Sequence, residues 1–172
     1  MRSLLLALAI AAAALLPNAE GRARVQPALD PASSVLAAHN NERNRVGTPP
    51  LQWDDELAAA AADYARVLAD GAPFQHSPRT GRFKQRENLS RGLPGADPLL
   101  MVSYWTVERR NFVPGTFPNV SRTGYWKDVA HYTQMIWKTT THVGCGWASG
   151  RTGEFMVCRY SPPGNADGRQ VP

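Results

Sequence analysis

The chain has 172 residues, which is enough for one domain with a sizeable core, and 43% of them are hydrophobic. This composition is ordinary for a globular protein, and the sequence contains no internal repeats or long low-complexity tracts. The formal net charge of +5 is mildly basic, but no nucleic-acid-binding motif accompanies it, so no nucleic-acid partner is expected.

The N-terminal segment predicts export. "MRSLLLALAIAAAALLP" has one Arg before an apolar run that is typical of a signal peptide and too short for a comfortable membrane span. Small residues favour cleavage after Ala23 or, alternatively, after Ala19. We therefore expect a signal peptide over residues 1–23, a short segment over residues 24–31, and a secreted or periplasmic protein with no remaining membrane span. The alternative is an uncleaved membrane anchor.

Two helices are predicted next. Asp30 and Pro31 have the features of an N-cap followed by proline at the first helical position, and the helix is expected to end at Gly47. Asp54 would cap a second helix, whose apolar residues recur on one face and which is expected to end at Gly71.

The region over residues 72–96 is rich in Gly, Pro and basic residues, which predicts loops around a short element near Phe83. Within it, the stretch "RTGRFKQRENLSR", residues 79–91, contains five basic residues and a single acid, Glu87. Such a patch would attract an anionic membrane or cell-envelope surface. The alternative is a solvated loop without a partner.

A third helix, predicted from Asp97-Pro98 through about Asn111, has a carboxylate on its apolar face. The spacing places four residues on that face: Met101, Trp105, Glu108 and Phe112. Burying an unpaired carboxylate costs several kcal/mol, so we expect Glu108 to have a partner. Alternatively, Glu108 flanks the face and reaches water, or it caps a backbone group.

The four histidines are candidate partners for this carboxylate. On the first helix, His39 is expected to have a structural role, and His142, which precedes a strand, is expected to be exposed. The other two are His76, in "FQHSP", and His131, which opens a short apolar helix. These two histidines are therefore the stronger candidates.

The two cysteines lie in a predicted hairpin. "GRTG" is typical of a turn between two alternating segments, and this turn pairs Ser149 with Glu154. The same register places Cys145 opposite Cys158, at a separation that a disulfide can span. In an exported protein we therefore expect a Cys145–Cys158 disulfide that stabilises the fold by roughly 2–4 kcal/mol.

Several motifs together resemble one family. "AHYTQMIWKTTTHVGCGWA" and "FMVCRYSPPGN" are similar to the two signatures of the CAP superfamily, which groups cysteine-rich secretory proteins, insect venom antigen 5 and plant pathogenesis-related proteins. "PPLQWDDELAAAAADYA", "FQHS", "RENLS" and "VSYWTVERRNF" match its intervening blocks in order. The resemblance covers residues 32–168, the CAP (SCP) domain, and residues 169–172 form a C-terminal tail. The whole stretch "SPPGNADGRQVP", residues 161–172, is predicted to be irregular. An Ala-, Arg- and Pro-rich chain with only two cysteines favours a bacterial member.

The resemblance implies an α+β fold, a three-layer α-β-α sandwich with a central antiparallel sheet. It also implies a cleft lined by His76, Glu87, Glu108 and His131, in which the two histidines hold a divalent metal, often zinc. Two histidines alone would make a weak, open metal site, and one shared ion would bring their ring nitrogens within roughly 3–5 Å.

Three functions are compatible with these residues. The first is a secreted, defence- or host-interaction-type protein that binds lipid, sterol or an anionic cell-envelope surface. The second is a metal-assisted hydrolase or protease, in which His and Glu would act on a bound water as base and orienter. A serine protease that uses Ser77, the neighbour of His76, is disfavoured, because adjacent residues rarely make a productive nucleophile pair and no G-x-S-x-G motif is present. The third is a buried polar network that only orders the core. We expect a binding protein without catalytic residues.

Overall fold

The structure is a computed structural model that describes residues 30–80 and 84–172. The signal peptide predicted over residues 1–23 and the short element predicted near Phe83 lie outside the described residues. No helix within the described ranges is long and apolar enough to cross a membrane.

The described chain alternates helices and strands. Its α-helices are α1 (Pro31–Arg45), α2 (Asp55–Ala69), α3 (Pro98–Thr106) and α4 (Ala130–Met135). Its strands are β1 (Gln52–Trp53), β2 (Arg86–Gly92), β3 (Gly115–Thr116), β4 (His142–Gly150), β5 (Gly153–Ser161) and β6 (Gln170–Val171). Short 3₁₀ helices occupy Val107–Asn111 and Trp126–Val129.

The predicted helix starts are confirmed by their capping hydrogen bonds. The Asp30 carboxylate accepts from the Ser33 backbone N–H at 3.0 Å, and the Asp54 carboxylate accepts from the Leu57 backbone N–H at 2.9 Å. The Asp97 carboxylate caps α3 in the same way. The α-helix predicted through Asn111 is shorter than expected, because its last turn tightens into the first 3₁₀ helix.

The central sheet has the strand order β1-β4-β5-β2. Its three longer strands are antiparallel, and only the two-residue β1 at one edge pairs in parallel. The hairpin register is confirmed, since Ser149 pairs with Glu154 and Cys145 pairs with Cys158. The predicted disulfide joins the two cysteines, whose Cα atoms are 4.1 Å apart.

Helices cover both faces of the sheet, so the predicted α-β-α sandwich is confirmed. Helix α2 packs on one face, where a Cβ at Gly144 or Gly146 would overlap the backbone of Ala58 or Ala62. The alanine run of α2 and these glycines thus permit very close contact between helix and sheet. Helices α1, α3 and α4 cover the other face around a core that includes Val35, Met101, Trp105, Met135, Cys158 and Tyr160.

Two segments predicted to be irregular are strands. The basic stretch contains β2, which pairs with β5 along its whole length, from Arg86 opposite Tyr160 to Gly92 opposite Glu154. The last residues also belong to the fold, because β6 pairs with β3 and the Val171 side chain is buried in a second hydrophobic cluster. The predictions of a loop and of an irregular tail were therefore wrong at these positions.

Candidate functional site

The first histidine–glutamate pair joins the segment before β2 to the strand itself. His76 Nδ1 lies 3.0 Å from Glu87 Oε1, and the Glu87 side chain is fully buried. The carboxylate also accepts from the backbone N–H of Ser77 at 3.0 Å and from the Ser77 hydroxyl at 2.8 Å, while Arg159 Nε lies 3.6 Å away. The hydrogen bonds from His76 and Ser77, together with the nearby positive charge of Arg159, compensate the cost of burying the Glu87 charge.

The second pair joins the 3₁₀ helix after α3 to the start of α4. His131 Nδ1 lies 2.6 Å from Glu108 Oε1, and the backbone N–H groups of His131 and Tyr132 both donate to Glu108 Oε2 at 3.0 Å. Glu108 therefore has an imidazole partner and also caps the first turn of α4. The His131 ring stacks on Trp105, with ring centroids 6.0 Å apart.

Asn88 joins the strand that carries Glu87 to the helix that carries His131. It follows Glu87 on β2, so the two side chains leave opposite faces of this edge strand. Asn88 Nδ2 donates to the His131 backbone carbonyl at 3.0 Å and to the Tyr160 hydroxyl at 3.1 Å. Asn88 was not predicted as a site residue, and its position beside Glu87 was the only signal for it in the sequence.

His39 has the structural role expected of it. Its Nδ1 lies 2.8 Å from the Val35 carbonyl, and its Nε2 lies 2.8 Å from the Tyr160 hydroxyl. Because a carbonyl can only accept, Nδ1 carries the proton and Nε2 accepts from Tyr160. Burial lowers the pKa of His39 to about 4 and raises the pKa of Tyr160, so both groups are neutral near pH 7.

An ion pair fixes the element that carries Glu108. Arg109 Nη1 donates to both carboxylate oxygens of Glu42 on α1, each at 2.7 Å, and this bond raises the pKa of Arg109. The Tyr132 hydroxyl lies 3.5 Å from the same carboxylate, and burial raises the pKa of Tyr132 to about 12. The 3₁₀ helix is thus tied to α1 and to α4 beside the second pair.

A cleft of about 520 Å³ lies next to these pairs. Its walls include His76, Arg79, Arg86, Glu87, Trp126 and Lys127. Ala130, the residue before His131, also lines the cleft, whereas His131 and Glu108 are not among its wall residues. Trp126 and Lys127 were not among the predicted site residues.

The structure thus brings the four predicted residues together as two pairs. Within residues 30–80 and 84–172, no three side chains of His, Cys, Asp or Glu are grouped as they would be around a metal ion. The shared cleft for all four residues, and one ion held by both His76 and His131, stay predictions.

Comparisons with known proteins give one consistent result. Residues 36–160 match the model of the CAP, or cysteine-rich secretory protein, family. Over 136 residues the chain is 36% identical to pathogenesis-related protein 1A1 of Solanum lycopersicum, covering 78% of this chain and 73% of that protein. Over 134 residues it is 34% identical to Golgi-associated plant pathogenesis-related protein 1 of Homo sapiens, covering 77% and 83% of the two chains.

Solved structures agree in fold. The crystal structure of NaASP2 with Zn²⁺ superposes with a TM-score of 0.71 at 23% identity, covering 83% of this chain and 85% of that one. BmVAL-1 superposes with a TM-score of 0.65 at 24% identity, covering 86% and 83%. The match of residues 36–160 to the family model, together with the relatives at 36% and 34% identity, shows that the chain belongs to the cysteine-rich secretory protein (CAP) family.

Proposed function

We propose that the protein is an exported binding protein whose cleft receives a lipid, sterol or cell-envelope component, and whose His76 and His131 bind zinc or another divalent metal weakly. One observation carries the proposal: both imidazoles direct Nδ1 to a carboxylate, and within the described ranges neither Nε2 has a hydrogen-bond partner. Their side chains are 58% and 33% exposed, so solutes can reach them.

The donor set fits a metal. Because a carboxylate accepts, each Nδ1–H donates and each Nε2 keeps a lone pair, which is the arrangement that carboxylates impose on zinc-binding histidines. Such a metal would supply a positive centre for an anionic ligand. NaASP2, whose fold is similar, was crystallised with Zn²⁺. Only the imidazoles of His76 and His131 are proposed as ligands, so the affinity for the metal ion would be modest and the metal-free protein would remain folded.

The contacts of Ser77 favour binding over hydrolysis. Its hydroxyl donates to Glu87 at 2.8 Å, so a carboxylate rather than the imidazole of His76 orients it. A serine nucleophile needs a base within hydrogen-bond reach that can accept its proton, and Glu87 is already engaged by His76 and by the Ser77 backbone. The contacts of Ser77 and Glu87 are therefore those of residues that orient His76 at a metal or ligand site, and not those of an activated serine nucleophile.

The biological setting is proposed from the family. The tomato relative is named a pathogenesis-related protein, and the family is described as secretory. Both names support an exported, defence- or host-interaction-type role.

Calorimetric zinc titration tests the metal-binding part of the proposal. His76→Ala and His131→Ala should each weaken zinc binding by roughly tenfold or more, since each removes one of two ligands. His142→Ala is the matched control, because His142 belongs to neither histidine–glutamate pair and its Nδ1 lies 2.8 Å from the hydroxyl of its neighbour Thr141. The metal proposal fails if His142→Ala loses as much zinc affinity as His76→Ala and His131→Ala. It also fails if neither His76→Ala nor His131→Ala changes the zinc affinity.

Lipid extraction and mass spectrometry of protein purified from its own host test the ligand-binding part. Stoichiometric lipid is the expected result. Turnover of a peptide library that is abolished in Glu108→Gln would instead favour the hydrolase and contradict a purely binding role.

A further inference from the structure

The cleft has an unequal distribution of charge. Among the residues that the structure describes, the cations on its wall are Arg79, Arg86 and Lys127, and the acidic residue is Glu87. The Glu87 carboxylate is buried and compensated by Ser77 and Arg159, as described above. An incoming ligand therefore meets mainly positive charge.

These cations come from separate parts of the chain. Arg79 lies in the loop before β2, Arg86 begins β2, and Lys127 lies on the second 3₁₀ helix, about 40 residues further along. Arg86 is anchored, because its Nε donates to the Gly164 carbonyl at 3.2 Å. The fold therefore assembles a positive wall that the sequence does not display as one run.

The basic stretch seen in the sequence is divided by the fold. Arg91, at its end, points away from the cleft, because its Nη2 donates to the Thr152 carbonyl at 3.0 Å and its guanidinium lies over the Phe155 ring. Arg79 and Arg86 of this stretch line the cleft, and Lys127 adds a cation from outside it.

One wall is aromatic as well as basic. Trp126 lines the cleft, and its ring packs edge-on against Phe117 with centroids 5.3 Å apart, so its orientation is fixed. A pocket of about 520 Å³ has the size of a small-molecule site. The indole offers a flat surface to the organic part of a ligand, while the cations face its charged part.

We propose that this cleft binds a phosphate ester through Arg79, Arg86 and Lys127, with the organic part of the ligand against Trp126. Guanidinium groups match phosphate oxygens in geometry, and a lysine adds a mobile positive charge. The ester is either a lipid headgroup or a soluble molecule, since both present the same chemistry. This inference rests on the proposal that the cleft is a ligand site, but it does not require the metal.

The test uses the whole mature protein in the presence of a chelator, so that zinc plays no part. The soluble probe is glycerol 3-phosphate, measured by calorimetry. The lipid probe is phosphatidylglycerol vesicles, measured by co-sedimentation against vesicles of pure phosphatidylcholine. Binding of glycerol 3-phosphate would identify a soluble ester as sufficient, and binding of phosphatidylglycerol vesicles alone would identify a lipid headgroup; either supports the proposal.

The variant pair Arg79→Ala/Lys127→Ala should lose roughly tenfold or more in affinity for the probe that binds, because two charge-assisted contacts are removed. Arg122→Ala/Arg151→Ala is the control with the same change in net charge, at two exposed residues outside the cleft lining. Equal losses in both variants would mean non-specific attraction, and no binding of either probe would leave the cleft without this ligand; both results overturn the proposal.

The outcome is separable from that of the metal site. If the anion binds in chelator but His76→Ala leaves zinc affinity unchanged, the metal proposal fails and the phosphate-ester proposal stands. If zinc binds through the histidines but neither probe binds, the reverse holds.

Discussion

Two kinds of histidine environment contact Trp105. The ring of His39 meets this indole edge-on, with centroids 6.2 Å apart, and the ring of His131 stacks on it, with centroids 6.0 Å apart. His39 is fully buried and both of its nitrogens are bonded, whereas His131 is one-third exposed and bonded through Nδ1. The same side chain is thus a structural element in one place and an available ligand in the other.

The two environments differ in how many ring nitrogens of the histidine are hydrogen-bonded. The buried network is a continuous chain of hydrogen bonds that ends at the His131 carbonyl. It runs through Val35, His39, Tyr160 and Asn88. Such a network contributes order and stability. In the two histidine–glutamate pairs, the carboxylates orient the imidazoles of His76 and His131 through Nδ1, and within the described residues no hydrogen bond occupies Nε2.

The largest expected difference between the two environments is in stability. His39→Ala should lower the free energy of unfolding by about 3–4 kcal/mol, since it leaves a cavity and a buried Tyr160 hydroxyl without its acceptor. His76→Ala should lower it by less than about 1 kcal/mol, because this ring is 58% exposed and Glu87 keeps Ser77 and Arg159. Urea unfolding of both variants measures this, and equal losses would contradict the distinction.

The second prediction concerns pH. Burial lowers the pKa of His39 to about 4, against 6.5 for the free side chain, so the unfolded chain binds more protons between these values. The free energy of unfolding should therefore fall by about 3 kcal/mol as the pH drops from about 6.5 to 4. His39→Gln lacks this titration and should show a flatter profile in the same window. Identical slopes for the wild type and His39→Gln would refute the assignment.

A smaller effect is expected from the middle of the network. Tyr160→Phe keeps the buried ring but removes the hydroxyl that donates to His39 and accepts from Asn88. A loss of about 1–2 kcal/mol in urea unfolding is expected, because two buried polar atoms lose a partner. Zinc affinity should change by less than about twofold, since neither His76 nor His131 is altered. A loss of zinc binding equal to that of His131→Ala would mean that the two environments act as one unit.

How much the sequence predicts depends on whether the signal is local. The hairpin register follows from turn chemistry and alternation, and the helix starts follow from Asp and Pro at capping positions. The need of Glu108 for a partner follows from its place among apolar residues, although the identity of that partner requires tertiary structure.

Strand β2 shows where local signals fail. Consecutive polar residues Glu87 and Asn88 are both buried, so the strand lacks the alternation that would reveal it, and each is satisfied by groups distant in sequence. Arg43 is a similar case. Its guanidinium is buried and donates to backbone carbonyls of Met135, Trp137 and Thr140, and burial lowers its pKa to about 10. Backbone carbonyls are present in every residue type, so the sequence does not show which of them will bind Arg43.

The most direct test of the central claim is a zinc titration followed through the imidazole nitrogens by long-range ¹H–¹⁵N NMR. The account predicts that zinc shifts the Nε2 resonances of His76 and His131 while leaving those of His39 and His142 in place, with the protein folded throughout. If zinc leaves the resonances of His76 and His131 unmoved, or shifts those of His39 or His142 instead, the imidazoles of His76 and His131 are not the available ligands and the proposed metal site is contradicted.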